Sequence, residues 1–256
     1  MASALINNSV VMDAGGTPWY RNKKLDQWIC FWVIPVFYNI FGVVFVLLGK
    51  IMPPQSPRDT PEEIISFMQS PNLLLATVML VLSLGFSYIT CAIVATHMRR
   101  MEGVSAAMAY AYMACFVIGS IPGCLFPMFC FALGAFRPDA NPQTLLLLYD
   151  MGFLAFVGSL GCFCAQYMVF AIAIFLDKRG IFPRWLAYLT MWSYVTEIVA
   201  GAVWMTKSGP FAWDGLLSFY LGTVIFVTWQ ICLTVCLYKA IKNQPLNELR
   251  NTSISV

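Results

Sequence analysis

Six long stretches of the chain are apolar and almost free of charge, and short polar segments separate them. They lie between Asp26 and Lys50, Glu63 and Arg99, Glu102 and Arg137, Asp150 and Asp177, Arg184 and Lys207, and Asp214 and Lys239; only Glu197 interrupts one. Each is at least as long as the roughly 20 residues that an α-helix needs to cross a bilayer. The pattern predicts an all-α integral membrane protein, a bundle of six transmembrane helices over 28–49, 73–97, 104–130, 150–176, 184–206 and 214–239. Residues 28–239 then form the transmembrane domain, and 1–27 and 240–256 are cytoplasmic tails.

Charge sets that orientation. Eleven of the 15 Lys and Arg flank one side of the six spans: Arg21, Lys23, Lys24, Arg99, Arg100, Lys178, Arg179, Arg184, Lys239, Lys242 and Arg250. Lys50, Arg58, Arg137 and Lys207 flank the other. Short loops with excess Lys and Arg stay in the cytoplasm. The glycosylation patterns at Asn7 and Asn251 therefore fall on the wrong side to be used.

Composition agrees with a lipid-covered surface. The chain is 60% hydrophobic and 11% charged, with mean hydropathy +0.74, against about 25% charged in soluble domains. A net charge of +3, scattered along the chain, argues against a nucleic-acid partner. Residues 1–20 lack the basic-then-apolar order of a cleavable signal peptide. The nine cysteines sit in or beside apolar runs, where Cys acts as a small hydrophobe. Cys162 and Cys164 point to different sides of a helix, a poor start for a metal site. Core packing is the simpler reading of Cys124 and Cys130 than a disulfide between them.

Local motifs refine the picture. Thr60-Pro61-Glu62-Glu63 is a capping box with proline at the first helical position, so a short helix begins in the first outer loop. Asn141-Pro142-Gln143 is a second cap, opening a run that leads toward the fourth span. Phe182-Pro183-Arg184-Trp185 opens the fifth. In the third span Ala107, Ala111, Cys115, Gly119 and Gly123 repeat every four residues. Such a stripe lets another backbone approach closely, and it predicts that this helix is the packing centre. Pro122 and Pro127 follow, so its outer end should kink or unwind. Broken helices inside a membrane are tolerated against protein or a water-filled cavity.

Glu197 is the one carboxylate well inside a span. A charge there costs about 2.5–3.5 kcal/mol on insertion scales, so it needs a partner, water or a proton. Thr190, Ser193, Tyr194 and Glu197 share one helical face by their spacing. Counted at 1.5 Å per residue, Glu197, Tyr194, Asn39, Gln166 and Gln230 lie at similar depth, about 14–18 Å from the cytoplasmic ends. They are the candidate lining of a polar layer that binds a cationic or hydroxylated solute or carries a proton. The bland alternative is a protonated Glu197 that hydrogen-bonds neighbouring helices.

Other chemistry lacks its residues. The single histidine, His97, excludes bis-histidine haem and multi-histidine di-iron sites. His97 with Arg99, Arg100 and Glu102 reads as a basic turn, with contact to a phosphate headgroup as the alternative. No lysine lies within a span for a retinal Schiff base, and no Walker loop or GxSxG occurs. The expected partners are the bilayer, a small-molecule or lipophilic ligand, and another membrane protein or a second copy; no cofactor or metal is expected. Three function classes remain: a transporter or permeation protein for a small or lipophilic solute, a non-catalytic scaffold subunit of a membrane complex, and a membrane-embedded enzyme on lipid or isoprenoid-like substrates. The enzyme needs a second acid or base near Glu197, and the spans offer none.

Four loop segments carry a resemblance: 98–103 (MRRMEG), 136–139 (FRPD), 182–188 (FPRWLAY) and 207–216 (KSGPFAWDGL). They resemble a family of uncharacterised bacterial polytopic membrane proteins of about six helices. The likeness runs from the second to the sixth span. It implies a bacterial plasma (inner) membrane and carries no activity with it.

Overall fold

The computed structural model describes residues 24–245, apart from 138, together with Glu248. Arg21, Lys23 and Arg250, with the motifs at Asn7 and Asn251, lie outside the described residues. Every described element is helical. Six helices are long and apolar enough to cross a membrane: α1 (Leu25–Leu48), α3 (Pro71–Met98), α4 (Ala106–Phe136), α5 (Pro142–Leu176), α6 (Arg184–Met205) and α7 (Leu216–Lys242). The short α2 (Pro61–Met68) stands between the first two.

The punctuation of the sequence sets these bounds. Thr60 accepts from the Glu63 amide while the Glu63 carboxylate accepts from the Thr60 amide, the reciprocal bonds of a capping box. Asn141 caps α5, which begins at Pro142 and runs unbroken to Gly158, so the fourth span starts earlier than its charges suggest. The Asp150 carboxylate, taken as that boundary, reaches Lys207 from the helix flank at 3.2 Å.

Each span packs mainly on its neighbours in sequence, and α1 closes on α7 to complete a ring. The Lys24 ammonium donates to the carbonyls of Ile241 (2.7 Å) and Lys242 (3.1 Å), so the start of α1 and the end of α7 share one end of the bundle. This is the basic end. A ring has no central helix, so the expectation that α4 is the packing centre fails: α4 sits between α3 and α5. Ala107 is exposed, and Ala111 and Cys115 are half-buried. Only Gly119 and Gly123 are buried, and they serve one close contact.

The interior divides into two apolar cores. One lies toward the basic end and contains Phe31, Val94, Tyr167, Phe170, Trp229 and Leu237. The other lies toward the opposite end and contains Phe45, Leu80, Phe131, Phe153, Val203 and Trp213. The first loop closes that second core. Trp213 donates its indole N–H to the Gln55 carbonyl at 2.8 Å, and Tyr149 donates its hydroxyl to the Ser56 carbonyl at 2.8 Å. Phe153 stacks on Trp213 beneath them.

Candidate functional site

Between the two cores the helices lose their regularity. In α4 a π-helical turn spans Ile121–Leu125. Pro122 supplies no N–H and crowds the carbonyl a turn earlier, and a widened turn relieves both. In α5 the α-helix stops at Gly158, passes through a 3₁₀ turn over Leu160–Phe163, and resumes at Cys164. Gly158, Ser159 and Gly161 make this the weakest stretch of α5. The two breaks face each other. A Cβ added to Gly119 would lie 3.0 Å from the Cys162 carbonyl oxygen, and one on Gly123 would lie 3.2 Å from the Phe163 ring. The small residues of α4 therefore make room for the broken backbone of α5.

Glu197 of α6 sits against this junction. A Cβ on Gly161 would lie 3.8 Å from the Glu197 carbonyl. The side chain is 5% exposed, and its Oε2 finds no hydrogen-bond partner among the described residues. It lies within electrostatic range of Cys124 on α4 and of Cys164 and Tyr167 on α5.

Its own helical face does not satisfy it. Thr190, Ser193 and Thr196 are buried, but each hydroxyl donates back along α6, to Leu186 (2.7 Å), Leu189 (3.3 Å) and Ser193 (2.9 Å) carbonyls. Local bonds of this kind are the usual fate of Ser and Thr within helices. Thr190 also accepts the Trp229 indole N–H at 2.8 Å, which fixes α7 to α6. Tyr194 is half-buried, and the Cys164 thiol approaches its carbonyl at 3.8 Å.

The other predicted lining residues divide. Gln166 is buried at 4% exposure and neighbours the Tyr112 hydroxyl of α4. Gln230 is half-buried, with its carbonyl taken by Thr234. Asn39 does not join: it is exposed, and its amide donates to the Pro35 carbonyl one turn back at 2.7 Å. The residue beside it does. Tyr38 reaches Thr90 of α3 and lies in electrostatic range of Cys124 and Tyr167. Tyr38, Tyr112 and Tyr167 are not among the residues that depth and spacing point to. Asn39 satisfies itself on its own helix, whereas Tyr38 carries its hydroxyl to α3. That reach was the available signal.

A cluster of hydroxyls, thiols and the Glu197 carboxyl, whose Oε2 has no partner among the described residues, thus surrounds the two helix breaks, and Tyr112 and Tyr167 carry it into the basic-end core. Hydrogen-bonded partners for a proton, an amine or an alcohol are present in it. Among the described residues no three His, Cys, Asp or Glu side chains come together as metal ligands would. No protein-family model, curated protein or solved structure matches the chain, so the family resemblance of its loops rests on those four segments alone.

Proposed function

We propose that the chain is a transporter or permeation protein for a small or lipophilic solute, with Glu197 as the group that handles it. In this reading Glu197 holds a proton and exchanges it as the solute's cationic or hydroxyl group binds. The observation that carries the reading is the unpartnered Oε2 of a carboxyl only 5% exposed, set beside two helix breaks. A buried polar group left unsatisfied costs about 1–3 kcal/mol, more when charged, and an intramembrane carboxyl marks a substrate or proton path more often than a structural bond. Discontinuous helices at mid-membrane depth are where transporters build their sites. The basic end would face the cytoplasm of a bacterial cell.

Purification from native membrane, with identification of what accompanies the protein, tests the reading. A small lipophile that is retained by the wild type and lost on Glu197→Ala supports it. A stoichiometric protein partner with no small molecule favours a scaffold subunit instead.

A further inference from the structure

At the basic end two turns are sewn together. Asp177, buried at 6% exposure, accepts from the amides of Glu102 (3.0 Å), Arg179 (2.9 Å) and Ile181 (2.8 Å). The Lys178 amide donates back to the Glu102 carbonyl at 3.1 Å. Gly103 and Gly180, at φ 83° and 70°, supply the left-handed positions that these turns require. One turn carries Arg100 and the other Arg179, so the distance between their backbones is fixed before either side chain binds anything.

Arg100 is oriented as well as placed. Its Nη1 donates to His97 Nδ1 at 2.6 Å and to the Ala240 carbonyl at 3.1 Å, and the side chain is 10% exposed. Arg179 leans over the same turn and donates to the Arg100 carbonyl at 3.4 Å. The two guanidinium groups then converge on one anion. Arg100 Nε meets Glu248 Oε2 at 2.8 Å, and Arg179 Nη2 meets Glu248 Oε1. Glu248 comes from beyond the end of α7, six residues after Lys242.

We propose that Arg100 and Arg179 form a binding site for a phosphate group, and that the Glu248 carboxylate occupies it as an internal substitute. Two guanidiniums held at a fixed separation match the oxygen geometry of phosphate as well as that of carboxylate. The local charge is mixed: Arg100 and Arg179 both pair with Glu248, Lys24 lies within electrostatic range of Arg100 and Glu248, and the Asp177 carboxylate accepts from backbone amides beside them. Burial lowers the Lys24 ammonium from its ordinary value, Arg100 lowers it further, and Glu248 opposes them. Inorganic phosphate brings at least as much negative charge and one more strong acceptor than the carboxylate it displaces, and a phosphodiester headgroup matches the carboxylate in charge and in its two non-bridging oxygens. The site also lies where α3 and α5 end, at the depth of lipid headgroups.

The test uses the full chain in maltoside micelles, which contain no phosphate. Inorganic phosphate is titrated in one arm and phosphatidylglycerol in the other, at matched ionic strength, with binding read from the melting temperature. Glu248→Gln should bind at least one probe about tenfold more tightly than wild type, and Arg179→Ala in that background should abolish the gain. A gain with the lipid alone identifies a headgroup site, and a gain with both identifies a general phosphate site. Equal binding by Glu248→Gln and wild type, or a double variant that binds as well as Glu248→Gln, overturns the proposal. If Glu248→Gln does not fold, Arg179→Ala carries the test: it should weaken the phosphate- or lipid-dependent rise in the wild-type melting temperature about tenfold in probe concentration, and an unchanged rise overturns it.

Discussion

The Cβ position of Gly119 lies 3.0 Å from the carbonyl oxygen of Cys162 and 3.1 Å from the Phe163 ring, so a methyl group there would press on the broken turn of α5. Gly119→Ala should therefore destabilise the protein by about 1–3 kcal/mol through overpacking. Gly85→Ala is the matched control. An added Cβ at Gly85 of α3 meets nothing within 4 Å, and Ala is the better helix former by roughly 1 kcal/mol. Melting temperatures in detergent should fall for the first and hold or rise for the second. Equal shifts would remove the close contact from the account.

The buried Trp229–Thr190 bond gives a second prediction. Thr190→Val keeps the shape but leaves the indole N–H without its 2.8 Å acceptor. The cost should be about 1–3 kcal/mol. Thr190→Ser retains the acceptor and should lose less than half as much. A Val variant as stable as wild type would mean that water or another group takes the indole proton.

Much of this fold was legible because single residues dictate it. The uncharged runs gave six spans, Thr60 and Glu63 gave α2, and Pro122 gave a break in α4. The break in α5 was not read, since Gly158, Ser159 and Gly161 are each ordinary in a membrane helix. The candidate site was legible at Glu197 and poorly legible around it. Depth along a helix follows from counting residues, but facing direction depends on which neighbour each helix packs against. That is why Asn39 appeared to belong to the layer and Tyr38, which reaches Thr90, did not.

The α2 cap is pH-sensitive with a definite sign. Bonds from the Thr60 amide and hydroxyl hold the Glu63 carboxyl below its ordinary value. A depressed folded value means that the cap's contribution is complete above the ordinary glutamate range and is lost as pH falls through the folded value. Glu63→Ala should speed amide exchange over Ile64–Met68 roughly fivefold at neutral pH. In acid the wild type should approach the variant. A constant ratio down to pH 2 would contradict the cap's role.

Orientation is open to direct assay. With the basic end in the cytoplasm, reporter fusions at Gly103 and Gly180 should read cytoplasmic, and fusions at Ser56 and Ser208 external. Both members of each pair lie in turns at the same end of the ring. A cytoplasmic signal at Ser208 would reverse the topology and, with it, the side of the membrane on which the paired arginines lie.

The central claim is that Glu197 works rather than merely fills space. Proton uptake by proteoliposomes under an imposed membrane potential, in the presence of the small molecule that copurifies with the protein and compared between wild type and Glu197→Gln at matched protein content, tests it most directly. Gln keeps the size and hydrogen-bonding capacity of the side chain and removes its titratable proton. Uptake by the wild type should exceed that of empty liposomes and fall about tenfold or more in the variant, with the melting temperature within about a degree of wild type. Equal uptake by the two proteins, or a Glu197→Leu variant as stable and as active as wild type, would contradict it.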